Sequence, residues 1–108
     1  MSDKPIVLRE AARRDIDAAL DHYSAQAGEV VALGFVDELE HAFRDIGRHP
    51  AAGSPRYGHE LELPGLRTWP VRRFPYLIFY VERAEDVDVW RVLHARRDIP
   101  AWLQAPGA

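Results

Sequence analysis

The sequence contains no cysteine, and this absence excludes several kinds of chemistry at once. Without thiols the chain cannot form disulfides, use a thiolate nucleophile or build a cysteine-based zinc site. The longest apolar run, residues 77–81, is far shorter than the roughly 20 residues that cross a bilayer. The amino-terminal MSDKPIVL also has no apolar stretch of signal-peptide length. We therefore expect a cytoplasmic protein without a membrane span.

Lysine is nearly missing as well. Lys4 stands alone against 13 arginines, and arginine stays protonated in proteins, which makes it a poor carrier of protons. The formal net charge of −3 argues against a protein held on nucleic acid by bulk electrostatics. Residues 1–62 carry a formal charge of −5 and residues 63–108 a charge of +2, so contact with an anionic partner through the second part of the chain remains open.

The amino-acid composition is that of a globular protein. The hydrophobic share of 47% and the charged share of 29% are close to the globular average. A chain of 108 residues is well below the roughly 250 at which separate cores form. We therefore expect one domain over residues 1–108.

Two amphipathic helices are predicted in the first half, after a short strand at residues 5–9. Apolar residues recur every three or four positions over residues 10–27 and again over residues 29–47. The short connection at Gly28 predicts an antiparallel helical hairpin whose apolar stripes face one sheet.

Strands dominate the predicted second half. Three glycines and two prolines in residues 47–59 indicate a loop, followed by strands at 60–63, 66–73, 75–82 and 87–95. Asp98 and Pro100 indicate the start of a short terminal helix. The result is a two-layer α+β domain, β-α-α-β-β-β, with the hairpin on one face of an antiparallel sheet and the other face open.

No metal or cofactor motif is recognisable. The five histidines lack the spacing of a metal site, the serines lack a nucleophile-elbow context, and no phosphate-binding glycine motif occurs. We therefore expect no metal and no cofactor. Arginines and aromatic residues alternate after residue 66, which fits either an anion-binding surface or a core with charged strand ends. His94 is the main group there that titrates near neutrality, and it fits either a structural or a catalytic role.

Several motifs appear in an order that covers almost the whole chain. They are A-x-x-D-I-x-x-A-L-x-x-Y at 12–23, F-x-x-x-L-x-x-x-F at 35–43, H-P-x-x-G-S-P-R at 49–56, L-R-x-x-P-V at 66–71, I-F-Y at 78–80 and V-L-H-A-R-R-D at 92–98. Taken together they resemble the RelE/ParE superfamily of type II toxins, and more closely its ParE branch, also called plasmid-stabilisation proteins.

The resemblance implies a toxin that inhibits DNA gyrase and forms a hetero-oligomer with a ParD-like antitoxin carrying a flexible tail. It leaves two alternatives: a ribosome-dependent mRNA endoribonuclease of RelE type, and a non-toxic binding module. No catalytic residue is expected for a gyrase inhibitor, whereas a nuclease would use Arg73, Arg91 and His94. Target contacts are expected at Arg67, Arg73, Tyr80, Arg91 and Arg96. Antitoxin contacts are expected at Ile16, Leu20, Tyr23, Phe35, Leu39 and Phe43.

Overall fold

The computed structural model describes residues 3–103 and has the predicted order of a strand, two long helices and three further strands. The elements are β1 (Ile6–Leu8), α1 (Glu10–Ala27), α2 (Glu29–Arg48), a 3₁₀ turn (Pro50–Ala52), α3 (Arg56–Glu60), β2 (Leu66–Pro70), β3 (Tyr76–Glu82), β4 (Val87–His94) and α4 (Ile99–Leu103). Gly28 joins the two long helices at a φ of 90°, which favours glycine. None of the helices within residues 3–103 is both long and apolar enough to cross a membrane.

The four strands form one sheet in the order β1-β4-β3-β2. β2, β3 and β4 are antiparallel neighbours, whereas β1 lies parallel to β4. The predicted α+β class is confirmed. The sheet is mixed rather than antiparallel throughout as expected, because the chain reaches β4, the parallel neighbour of β1, only after the helical hairpin, β2 and β3.

The segment between α2 and β2 differs from the prediction. The stretch expected to be a loop contains the 3₁₀ turn and α3, and the strand expected at 60–63 is absent. There the N–H groups of Leu61 and Leu63 donate to the carbonyl oxygens of Tyr57 and Gly58, both at 2.9 Å. Because these hydrogen bonds are local, the segment has no strand ladder.

β2 ends at Pro70 rather than at the predicted residue 73. The turn from Val71 to Pro75 closes when Val71 donates its N–H to the carbonyl oxygen of Tyr76. Within this turn Arg73 has a φ of 70°, a left-handed conformation that is costly for a residue other than glycine.

A β-bulge in β4 changes which residues share a face. Phe79 pairs with Arg91 and Tyr80 with Val89, so Trp90 has no residue opposite. Strict alternation along β4 would place Val89 on the same face as Leu93, and the bulge separates the two. Val89 instead packs with Val92 under the hairpin, while Trp90 packs with Leu93 on the opposite face.

Both faces of the sheet are covered. The hairpin packs on one face over a core that includes Phe35, Ile46, Ile78 and Val89. The other face, expected to be open, carries a second core of Leu66, Phe79, Leu93, Ile99 and Leu103. The second face is covered because apolar residues of α3, of the segment that follows it and of α4 pack there.

Candidate functional site

Asp15 and Arg91 form a buried ion pair that joins α1 to β4. Nε and Nη2 of Arg91 donate to the two carboxylate oxygens of Asp15, both at 2.7 Å. The N–H of Val92 donates to Asp15 at 3.0 Å, and Nη1 of Arg91 donates to the carbonyl oxygen of Trp102. The hydrogen bond to Asp15 raises the pKa of Arg91 even though burial opposes it. Arg91, expected to contact the target, is therefore engaged inside the fold.

Tyr80 and Arg67 hold the chain that follows α2. The hydroxyl of the fully buried Tyr80 donates to the carbonyl oxygen of Pro50 at 2.7 Å and accepts the N–H of Gly53 at 3.1 Å. Nη1 of the half-buried Arg67 donates to the carbonyl oxygen of Gly53 at 2.8 Å. Burial raises the pKa of Tyr80, so its hydroxyl stays protonated. Tyr80 was expected to contact the target, and its burial contradicts that role.

A cleft of about 450 Å³ opens at the carboxyl end of β4. Its walls come from four elements and from the turn that follows β4. Among the lining residues are His22 of α1, Tyr76 of β3, His94 of β4, Arg96 and Arg97 of the turn, and Trp102 of α4. The cleft therefore combines two cations, two imidazoles and two aromatic rings.

His94 is oriented by hydrogen bonding and by ring packing. Its Nδ1 accepts the N–H of Arg96 at 3.1 Å, and its ring meets Tyr76 edge-on with centroids 5.2 Å apart. Because Nδ1 is the acceptor, the proton of the neutral ring lies on Nε2. Burial, together with the charges of Arg96, Arg97 and His22, lowers the pKa of His94 below its ordinary value. The ring is therefore neutral at pH 7.

A second exposed feature lies where α2 begins. Val30 is 85% exposed and Leu33 is 58% exposed. One helical turn beyond Val30, Gly34 faces the ring of Phe74, and a Cβ at this glycine would lie 3.9 Å from that ring. Phe74 follows the exposed Arg72 and Arg73 of the β2–β3 turn. We call Val30, Leu33, Arg72, Arg73 and Phe74 the tip surface.

Comparison with known proteins identifies the family. Residues 6–99 match the family described as "ParE toxin of type II toxin-antitoxin system, parDE". The chain belongs to the ParE toxin family. A solved structure described as "Chromosomal ParDE TA system from P. aeruginosa" resembles the protein with a TM-score of 0.71 and 24% sequence identity, covering 84% of this chain and 95% of the other. No protein of curated function matches the sequence.

The expected antitoxin contacts of this ParE protein belong to its own core. Phe35 and Leu39 are 0% and 4% exposed. Ile16, Leu20, Tyr23 and Phe43 are partly buried and pack against the same core. The apolar stripe of the hairpin is thus used by the sheet, because a two-layer fold must first cover its own apolar surface. Phe35 and Leu39 are closed to a partner in this fold.

The residues expected for a nuclease are not assembled in this ParE fold. His94 lines the cleft, whereas Arg91 is bound to Asp15 and Arg73 lies on the tip surface. Of the expected target contacts, Arg67 is half-buried, Arg73 is exposed, and Arg96 is exposed in the cleft. Within residues 3–103, no group of three metal-ligating side chains is placed to hold an ion.

Several residues of the cleft and of the tip surface were not predicted from the sequence. Asp15 lies in the A-x-x-D-I motif, but its partner is 76 positions away. Tyr76, Arg97 and Trp102 are aromatic or basic residues, and no spacing in the sequence indicates that they line one cleft. The sequence could have indicated that Val30 and Leu33 are exposed, because they lie outside the apolar stripe that includes Ala32, Phe35 and Leu39.

Proposed function

We propose that this ParE-family toxin acts in the cytoplasm by inhibiting DNA gyrase and is neutralised by a cognate antitoxin. The observation that carries the gyrase proposal is the tip surface, which exposes large apolar side chains beside two arginines. Such a surface suits a protein target, because arginine is enriched in the energetic centres of protein interfaces.

The apolar part of the tip surface is unusual for an exposed helix. Val30 and Leu33 lie three positions apart, so they share one side of α2. Val30 and Gly34 lie four positions apart, which continues that side towards Phe74. Large apolar side chains exposed on one side of a helix support an interaction site there.

The basic part of the tip surface is held in a strained turn. The φ of 70° at Arg73 costs on the order of 1–2 kcal/mol for a residue other than glycine. Glycine would adopt this conformation without that cost. An exposed arginine kept at such a position supports a role in binding, since backbone strain of this kind clusters at functional sites.

Charge reversal at Arg73 tests the proposal. We expect Arg73→Glu to raise the toxin concentration needed to inhibit supercoiling by purified gyrase by about tenfold or more, the loss of a central interface arginine. Arg44→Glu on the exposed side of α2 makes the same charge change and should inhibit like the wild type. Equal inhibition by the two variants would contradict the role of the tip surface.

A second variant separates binding from folding. Arg73→Gly removes the guanidinium and also relieves the left-handed φ. We expect its melting temperature to equal or exceed that of the wild type, while gyrase inhibition falls as in Arg73→Glu. A variant that is stable and fully inhibitory would show that Arg73 has no part in target binding.

We also propose that the antitoxin binds as a flexible, ParD-like segment in a hetero-oligomer. Membership in a family of type II toxin–antitoxin systems supports such a partner. Coupled folding of a flexible segment buries a large area, so co-expression with the adjoining reading frame should give partner-dependent protection from hydrogen exchange within residues 12–46 or 66–82. Protection confined to the remaining residues would contradict this mode of binding.

A further inference from the structure

The cleft at the end of β4 is separate from the tip surface and plays no part in the proposed inhibition of gyrase. Arg96 and Arg97 are both exposed at its rim. Within residues 3–103, neither guanidinium forms an ion pair with a carboxylate. Two arginines thus line a concave surface, and no carboxylate of the described residues pairs with either charge.

The acidic residue that lines the cleft does not cancel this charge. Asp15 accepts two hydrogen bonds from Arg91 and one from the N–H of Val92, and its side chain is 11% exposed. Its negative charge is therefore balanced inside the fold. The lowered pKa of His94 has the direction expected of a half-buried ring beside uncompensated positive charge.

Hydrogen-bond donors converge on the same space. Nδ1 of His94 accepts from the N–H of Arg96, which leaves the Nε2 proton of the neutral ring as a donor. The guanidinium of Arg97 lies 4.3 Å from the ring centroid of Trp102, which fixes it near the mouth of the cleft. Trp102 is itself 37% exposed, and Tyr76 supplies a second aromatic wall.

We propose that this cleft binds the phosphate group of a nucleotide through Arg96, Arg97 and the Nε2–H of His94. Three cationic or neutral donors suit a phosphate monoester, which offers three terminal oxygens and up to two negative charges. A cleft of about 450 Å³ falls in the range of small-molecule sites and exceeds what a bare phosphate fills. The aromatic walls supply apolar surface for the nucleoside.

Histidine resonances of the full chain give a direct test. We expect adenosine 5′-monophosphate, titrated at constant ionic strength, to shift the ring signals of His94 and His22 in a saturable manner. The signal of His41, which lies on α2 outside the cleft, should stay in place. The groups that face the His94 ring are Arg96, Arg97, His22, Tyr76 and the paired Asp15. The bound dianion should raise the pKa of His94, because its negative charge offsets the positive charges near the ring.

Variants and competing probes decide the assignment. Arg96→Gln should weaken the nucleotide by about tenfold or more, the loss of a charge-assisted hydrogen bond, while Arg44→Gln should bind like the wild type. Because Arg96 is exposed, unchanged His41 signals will report an intact fold. Inorganic phosphate should bind at the same place but more weakly than the nucleotide.

Four results would overturn the proposal. They are no saturable shift at His94, equal binding by Arg96→Gln and Arg44→Gln, inorganic phosphate binding as tightly as the nucleotide, and a glutamate-rich pentapeptide moving His94 where the nucleotide does not. The last result would assign the cleft to an acidic peptide. None of these readouts involves gyrase, so the outcome is independent of the proposed target.

Discussion

His94 is a residue whose protonation depends on the fold. Its pKa is lowered from an ordinary value of 6.5, first by burial and then by Arg96, Arg97 and His22. In the unfolded chain these causes are absent, so the unfolded state binds a proton at a higher pH than the folded state does. The free energy of unfolding must then fall as the pH is lowered through 6.5 towards the folded pKa.

We expect the protonation of His94 to have a measurable effect on the free energy of unfolding in denaturation curves recorded between pH 7.5 and 5. The wild type should lose more stability than His94→Gln as the pH falls, because the variant has no proton to take up at this position. The difference between the two curves isolates His94 from the other histidines. Parallel curves would contradict the lowered pKa.

The roles of single arginines and tyrosines were the hardest feature to predict from the sequence. Arg91 and Tyr80 have residue types that suit an exposed binding surface, and the structure buries both. Their partners lie 76 and 27 positions away, at Asp15 and Gly53. No local pattern encodes such pairs, whereas Arg73 and Arg96, which lie in turns, are both exposed.

At the scale of elements, the periodic segments were predictable and the irregular ones were not. The long helices and the central strand follow from three-four spacing and from a continuous apolar run. The 3₁₀ turn and α3 lie among prolines and glycines, where propensity favours a loop and only tertiary contacts select a helix. The bulge at Trp90 likewise inserts one residue without a recognisable sequence signal, and it changes the face of every residue after it.

The terminal helix α4 is an element whose contribution can be measured. Ile99 and Leu103 are 3% and 4% exposed and complete the second core, and full burial of such a side chain contributes about 1.5–3 kcal/mol. Truncation after Arg97 should therefore lower the melting temperature, whereas Ala101→Gln on the exposed side of α4 should not. An unchanged melting temperature after truncation would show that α4 does not stabilise the sheet.

On the scale of the whole molecule, the fold separates an apolar and basic tip from a basic cleft. A nuclease must remove a proton from a 2′-hydroxyl and protonate a leaving oxygen, which requires a titrating group together with cations. The cleft holds His94, but Arg91 is buried and bound to Asp15, Arg73 lies on the tip surface, and the one lysine, Lys4, is bound to Glu82. This separation supports the proposal that the toxin acts by surface contact rather than by catalysis.

The most direct test incubates the purified toxin with gyrase and relaxed DNA and, in parallel, with translating ribosomes. We predict inhibited supercoiling and intact mRNA, with inhibition retained in His94→Gln, since general acid–base catalysis worth about 10²–10⁴-fold is not involved. Cleaved mRNA that disappears in His94→Gln, with gyrase unaffected by either protein, would contradict the account and identify a ribosome-dependent endoribonuclease. Inactivity in both assays would identify a non-toxic binding module.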